Sequence, residues 1–263
     1  KASTPWEWHK KLFKVARKLN LEIFSSPFDE TAVDFLEKLN CPAYKIASPE
    51  ITHIPLIEKI AKTKKPIIIS TGVAEEKDIE LAVKTIKKFN NFKIILLKCN
   101  TAYPSPVDEG NLLNIKYLSK KFNLFAGYSD HTLENISSLV ASSLGAVLIE
   151  KHINLNDNTK TIDSFFSASE NKFKNLVDSI REVDLIKGKE KYVLSKSSKK
   201  NFRGRRSIYV SKNIKKGQKI NTSNVQVVRP GLGLHPKYYK FILGKKVKKN
   251  LKVGDRFKIN FIN

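Results

Sequence analysis

Apolar and polar positions alternate in blocks along residues 5–187. Trp8, Leu12, Val15 and Leu19 recur at helical spacing and predict an amphipathic helix over residues 6–19. Short apolar runs follow at 23–28, 44–48, 67–71, 94–99, 124–128 and 146–152. Each leads into a polar turn and a helical stretch, as at 29–39, 75–88 and 133–144. Runs rich in β-branched residues alternating with helices predict βα units around a parallel sheet. Six strands are legible in this way.

Polar residues cluster just after nearly every strand: Ser25 and Ser26, Ser48 and Glu50, Ser70 and Thr71, Thr101 and Tyr103, Ser129 and His131, and His152. A barrel gathers all such positions at one mouth, whereas an open sheet collects ligands at its switch point. The even spread favours the barrel. No glycine-rich GxGxxG turn follows any strand, which removes the commonest dinucleotide signature. A closed barrel needs eight strands, the chain opens on a helix, and its 263 residues include no methionine. The expectation is therefore an α/β chain, a (β/α)8 TIM-type barrel whose first two strands are missing from a partial or processed sequence.

The composition changes towards the C-terminus. The barrel domain is assigned to residues 1–190, a linker with a Lys- and Ser-rich stretch to 191–206, and a small β-rich domain with glycine turns to 207–263. Such a small domain has a limited core of its own.

The net charge of +24 suits anionic substrates. Its lysines are spread along helix faces and ends, as at Lys59, Lys62, Lys64 and Lys65, which argues against nucleic acid as the partner. No apolar run approaches the roughly 18 residues that span a bilayer, so no membrane partner is expected. Cys41 and Cys99 lie in or beside apolar runs and read as buried free thiols of a reducing compartment, the cytoplasm by default.

Two histidines at consecutive strand ends, His131 and His152, can share a divalent metal with open coordination positions. A pair of packed histidines without metal fits the spacing equally well. Lys45 lies within the apolar run Tyr44-Lys45-Ile46-Ala47-Ser48, where burial demands an anionic partner. A Schiff-base role and an anion-binding role are both open to it. Ser26, Ser48, Ser70 and Ser129 add donors for phosphate and carboxylate. Glu50, Tyr103 and Asp163 are candidates for substrate hydroxyls or proton transfer, against the plainer reading of loop residues. Arg229 reads as a surface arginine unless the small domain caps a mouth.

Several segments resemble the sialic-acid synthase family, and most closely its pseudaminic acid synthase branch. They are Thr4-Pro-Trp-Glu-Trp-His9, Phe24-Ser-Ser-Pro-Phe28, Tyr44-Lys-Ile-Ala-Ser48, Ser70-Thr-Gly72, Lys98-Cys99, Ala102-Tyr-Pro104, Ser129-Asp-His-Thr132, Glu150-Lys-His152 and Val228-Arg-Pro-Gly231. The match spans the chain in the family's order. It implies a barrel followed by an antifreeze-like (SAF) domain, in a domain-swapped homodimer. It implies a manganese- or magnesium-type ion on His131 and His152, and phosphoenolpyruvate on Lys45, Ser26, Ser48, Ser70, Thr101 and Ser129. Glu50 and Tyr103, as catalytic groups, and Asp163 contact the amino sugar, and Arg229 reaches it from a partner subunit.

The implied enzyme is a C–C bond-forming transferase that condenses phosphoenolpyruvate with an open-chain amino sugar and releases phosphate by C–O cleavage. The family also carries a first-strand glutamate and a second-strand lysine that find no counterpart in these residues. If the 263 residues are the entire polypeptide, the resemblance implies little or no turnover. The alternatives are an inactive phosphoenolpyruvate- and sugar-binding protein and a barrel aldolase or lyase working through Lys45.

Overall fold

The computed structural model describes residues 4–156, 158 and 160–262. Two compact units divide at Gly188 and Lys189.

The first unit runs α1 (Trp6–Lys18), α2 (Glu30–Lys38), β1 (Tyr44–Ile46), α3 (Ile54–Lys62), β2 (Ile67–Ser70), α4 (Glu76–Lys88), β3 (Ile94–Cys99), α5 (Asn114–Phe122), β4 (Phe125–Asp130), α6 (Ile136–Ser143), β5 (Ile149–Lys151) and α7 (Glu170–Lys187). The five strands form one parallel sheet in sequence order, a half-barrel of TIM type. The sixth expected strand, over 23–28, contributes only a single parallel bridge from Ser25 to Tyr44. Pro27 interrupts it, and proline cannot donate to a ladder.

Local chemistry sets the helix boundaries. The Asp29 carboxylate accepts the Ala32 backbone N–H at the start of α2, and Glu75 and Asp78 form a reciprocal capping box at the start of α4. Helices α2 to α5 bury their apolar stripes on one face of the sheet. Ile46, Ile67, Ile69, Leu96, Ala126 and Tyr128 point to that face and join Val33, Leu36, Leu56, Ile60, Ile86 and Leu118 in one cluster. Cys41 and Cys99 are buried free thiols, as their apolar surroundings suggest. Among the described residues no helix is long and apolar enough to cross a membrane.

Helix α1 departs from its sequence pattern. Trp8, Leu12, Val15 and Leu19, the expected buried stripe, are all exposed. Phe13 enters the core instead, and Trp6 stacks on Phe35 of α2 at 4.5 Å between centroids. The periodicity is present, but α2 offers its packing surface to the neighbouring face of α1.

The second unit begins with a short helix α8 (Lys196–Lys200), which the Lys- and Ser-rich composition concealed. The Ser195 hydroxyl caps it by accepting the Ser198 N–H at 3.0 Å. Strands β6 (Ser207–Val210) and β7 (Val225–Val228) pair antiparallel, and α9 (Tyr239–Ile242) follows. Ile208, Val210, Ile214, Val225, Ile242, Val247, Leu251 and Phe257 make a separate small core.

Gly127 in β4 lies close against the backbone that leads into β5. A Cβ there would collide with the Leu148 carbonyl oxygen and lie 2.7 Å from Leu97 Cδ2. Gly127→Ala is therefore expected to destabilise the first unit by about 1–3 kcal/mol through overpacking. Urea denaturation tests this, and a wild-type midpoint for the variant would contradict the close contact.

Candidate functional site

Strand alternation sorts residues between the two faces of the sheet. Opposite the apolar cluster lie Lys45, Ile68, Ser70, Leu97, Cys99, Gly127, Ser129 and Glu150. The register sets Lys45 beside Ile68, Ser70 beside Leu97, Cys99 beside Ser129, and Ser129 beside Glu150. The inner face is thus apolar at its middle and polar at its C-terminal edge, the end where parallel barrels carry their chemistry.

Lys45 is buried among these residues. Its Nζ donates to Ser70 Oγ at 2.7 Å and to the Ile46 carbonyl at 3.2 Å, and it stands 3.8 Å from Glu150 Oε1. Burial pulls its pKa below the ordinary lysine range, while the Glu150 carboxylate pulls it back up. Ser129 Oγ donates to Glu150 Oε1 at 2.6 Å. A continuous polar chain therefore runs Ser70–Lys45–Glu150–Ser129 across four strands.

The chain reaches His131. Its Nδ1–H donates to the Asn100 carbonyl at 2.7 Å, which fixes the neutral ring with a bare Nε2. Ser129 Oγ lies 3.3 Å from that Nε2, but its only proton is directed at Glu150. The Nε2 lone pair is left free for a ligand. The imidazole of His152 lies 5.4 Å from that of His131 between centroids, and its Nδ1 faces Asp163 Oδ2 at 3.6 Å. Carbonyl and carboxylate partners on the far nitrogens are the usual support of metal-binding histidines. The pair thus fits a divalent ion. Among the described residues no group of three His, Cys, Asp or Glu side chains gathers as a metal cage. An ion held by two imidazoles keeps positions open for water and substrate.

Tyr103 packs on both histidines, at 4.3 Å from His131 and 5.9 Å from His152 between centroids. Burial, and then nearby negative charge, raises its pKa, so the phenol keeps its proton and can donate. Phe166 closes the aromatic group at 4.8 Å from His152 and 5.1 Å from Tyr103.

At the end of β1, the 3-10 turn Ser48–Thr52 carries Ser48 and Glu50. Ser48 Oγ accepts the Val73 N–H at 2.8 Å, leaving its own proton to give. Glu50 Oε2 is buried without a hydrogen-bond partner, a costly state that a bound group would relieve. Gly72 brings Ser48 and Thr101 together: an added Cβ would meet Thr101 Oγ1, lie 2.7 Å from Cys99 Sγ and 3.2 Å from Ser48 Oγ.

Two expected residues lie on other segments of the chain. Ser26 lines a cavity of about 400 Å³ with Trp6, His9, Ser25 and Phe28, and no hydrogen bond ties its side chain to Lys45. Arg229 is exposed in the second unit, just after β7. Glu150 and Phe166 are not among the site residues expected from the sequence. Three consecutive ionisable residues, Glu150, Lys151 and His152, in an otherwise apolar run were the available signal for the first. Phe166 carried none, because the adjacent aromatics Phe165 and Phe166 in a polar loop do not show which rings they meet.

The chain matches the NeuB family over residues 1–192 and the SAF domain over 205–256. It is 48% identical to a pseudaminic acid synthase of Helicobacter pylori, covering 97% of this chain and 75% of that protein. It is 40% identical to an N,N'-diacetyllegionaminic acid synthase of Campylobacter jejuni, over 93% of this chain and 74% of that one. Among solved structures, the N-acetylneuraminic acid synthetase of Leptospira borgpetersenii, in complex with citrate, superposes with a TM-score of 0.72 at 31% identity, covering 78% of this chain and 71% of that chain.

Burial chiefly, aided by the neighbouring His152, holds His131 below the ordinary histidine value of 6.5. The unfolded chain therefore takes up this proton first as pH falls, so folding loses stability below that value. Replacing His131 by Gln removes the group. The expected outcome is a smaller drop in Tm between pH 7 and 5 for the variant than for the wild-type chain. Parallel pH profiles would contradict the assignment.

Proposed function

Because the chain belongs to the NeuB family, we propose that it condenses phosphoenolpyruvate with an open-chain, di-N-acetylated 6-deoxy 2-acetamido hexose. The products are pseudaminic acid, or a related nonulosonic acid, and phosphate. The identity to the Helicobacter pylori relative supports the pseudaminic branch. The observation that carries the reading is the polar chain Ser70–Lys45–Glu150–Ser129 ending beside two histidines with paired Nδ1 atoms.

In this reading the anionic substrate lies on Lys45, with hydroxyls from Ser48, Ser70 and Thr101, with Ser129 joining once its proton turns from Glu150, and with Ser26 at the margin. The bare backbone at Gly72 leaves room between Ser48 and Thr101. Lys45 serves as a point charge, and its bonds to Ser70 and the Ile46 carbonyl hold Nζ in place. His131 and His152 would hold a manganese- or magnesium-type ion, which would supply Lewis acidity for the sugar aldehyde. The methylene carbon of phosphoenolpyruvate bonds to the aldehyde carbon, water adds at C2, and the C2–O bond to phosphate breaks. Glu50 Oε2, unpartnered in its turn, accepts the proton of the attacking water. The Tyr103 phenol donates to a sugar oxygen, and Asp163 both faces His152 and offers an acceptor to a sugar hydroxyl. Holding both reactants against one edge of the sheet supplies the proximity such a condensation needs.

Two further assignments belong to the same reading. A domain-swapped homodimer, with Arg229 reaching the sugar from a partner subunit, is supported by the exposure of Arg229. Residence in the cytoplasm is supported by the two free thiols.

Calorimetry with phosphoenolpyruvate in manganese-containing buffer tests the anion site. The wild-type chain is expected to bind, and Lys45→Met to bind at least about tenfold more weakly, as loss of a charged hydrogen-bond donor implies. In a polypeptide that also carries the family's first-strand glutamate and second-strand lysine, added sugar is expected to release phosphate and give a product with the mass of the condensed nonulosonic acid. Equal binding by the wild-type chain and Lys45→Met would remove Lys45 from the site, and no binding by either would overturn the reading.

A further inference from the structure

Behind the two histidines lies a buried ion pair that the proposed chemistry does not use. Lys151 Nζ stands 3.0 Å from Asp130 Oδ2, with side-chain exposures of 1% and 0%. Further hydrogen bonds of the pair lie in the same corner. Asp130 Oδ1 accepts the Thr132 N–H at 2.8 Å and the Thr132 hydroxyl at 2.7 Å. Asp130 Oδ2 also accepts the Ser138 hydroxyl of α6 at 2.5 Å. Lys151 Nζ donates further to the Thr132 carbonyl at 2.7 Å.

Stability is a weak reason for such a pair. Withdrawing two charges from water costs as much as their attraction returns, and apolar replacements of similar volume are often neutral or stabilising. Its place in the chain supplies another reason. Asp130 immediately precedes His131, and Lys151 immediately precedes His152. The two are register partners across β4 and β5. Strand alternation sends them to the helix side of the ladder, while Ser129 and Glu150 point to the inner face. Lys151 thus grips the backbone on both sides of His131, through the Asp130 carboxylate before it and the Thr132 carbonyl after it. The same side chain is anchored one residue before His152.

We propose that Asp130 and Lys151 are positioning residues that fix the spacing and orientation of His131 and His152 for a shared divalent ion. Partners that orient metal ligands without touching the metal commonly change affinity by about 10- to 100-fold. The inference rests on the metal reading of the two histidines given above.

The test measures Mn2+ binding to the full chain by electron paramagnetic resonance of the free ion, beside thermal unfolding. The variants are Lys151→Met, the neutral double variant Asp130→Asn with Lys151→Met, and Ser138→Ala. The double variant leaves no buried charge uncompensated and is expected to unfold cooperatively near the wild-type Tm. Its Mn2+ affinity is nevertheless expected to fall by about tenfold or more. Ser138→Ala keeps both charges and loses one bond to Asp130; it is expected to fold normally and to weaken binding by a smaller factor. A folded double variant with wild-type affinity would overturn the proposal. Should the charge variants not fold, unchanged affinity in Ser138→Ala would overturn it in their place. Failure of the metal reading has a different signature: the wild-type chain would bind no Mn2+, or His131→Ala with His152→Ala would bind it as well as the wild type.

Discussion

Parallel pairing of β4 with β5 places Ser129 opposite Glu150 and Asp130 opposite Lys151, and the rest of the site depends on that register. A slip of one residue would turn Glu150 towards the helices and Lys151 towards the inner face. Lys45 would then lose its carboxylate, and two lysines would share one pocket. The apolar cluster beneath α2 to α5 prevents the slip. Ile46, Ile67, Ile69, Leu96, Ala126 and Tyr128 must face the helices together, and their burial fixes the parity of every strand.

The same parity explains how so many polar groups tolerate burial. Lys45, Ser70, Ser129, His131 and Asp130 are all buried, yet each has a hydrogen-bond or ion-pair partner. Desolvation acts on all of them, visibly in the lowered pKa values of Lys45 and His131. Charge and hydrogen bonding offset it, through Glu150 for Lys45 and through the Asn100 carbonyl for His131. Glu50 Oε2 is an exception, since no hydrogen bond among the described residues satisfies it. A satisfied network with an orphaned acceptor at its edge is a preorganised surface awaiting a ligand.

Two layers of polar structure meet at the edge of the sheet. The inner layer gathers the groups assigned to substrate and metal in the proposed function: Lys45, the serines, Tyr103 and the two imidazoles. The outer layer, Asp130 with Lys151, Thr132 and Ser138, is bonded within itself and stiffens the backbone that carries the histidines. Such a division lets the inner side chains keep bare lone pairs and free protons, because their placement is enforced from behind.

The sequence by itself determined the alternation of strands and helices, the polar residues at strand ends, the pairing of His131 with His152 and the exceptional position of Lys45. These are local properties: period, turn chemistry and the cost of a charge in an apolar run are carried by neighbouring residues. The stripe of α1 was equally legible, yet its burial was not, because periodicity states which residues share a face and not whether a partner covers it. Tertiary structure alone decided that Glu150 joins Lys45 to Ser129, that Phe166 closes the rings of His152 and Tyr103, and that Gly72 gathers Ser48 and Thr101. Each is a contact between strands or loops far apart in sequence, set by the register of the parallel sheet, and register is a property of pairs of strands that no single stretch of chain contains.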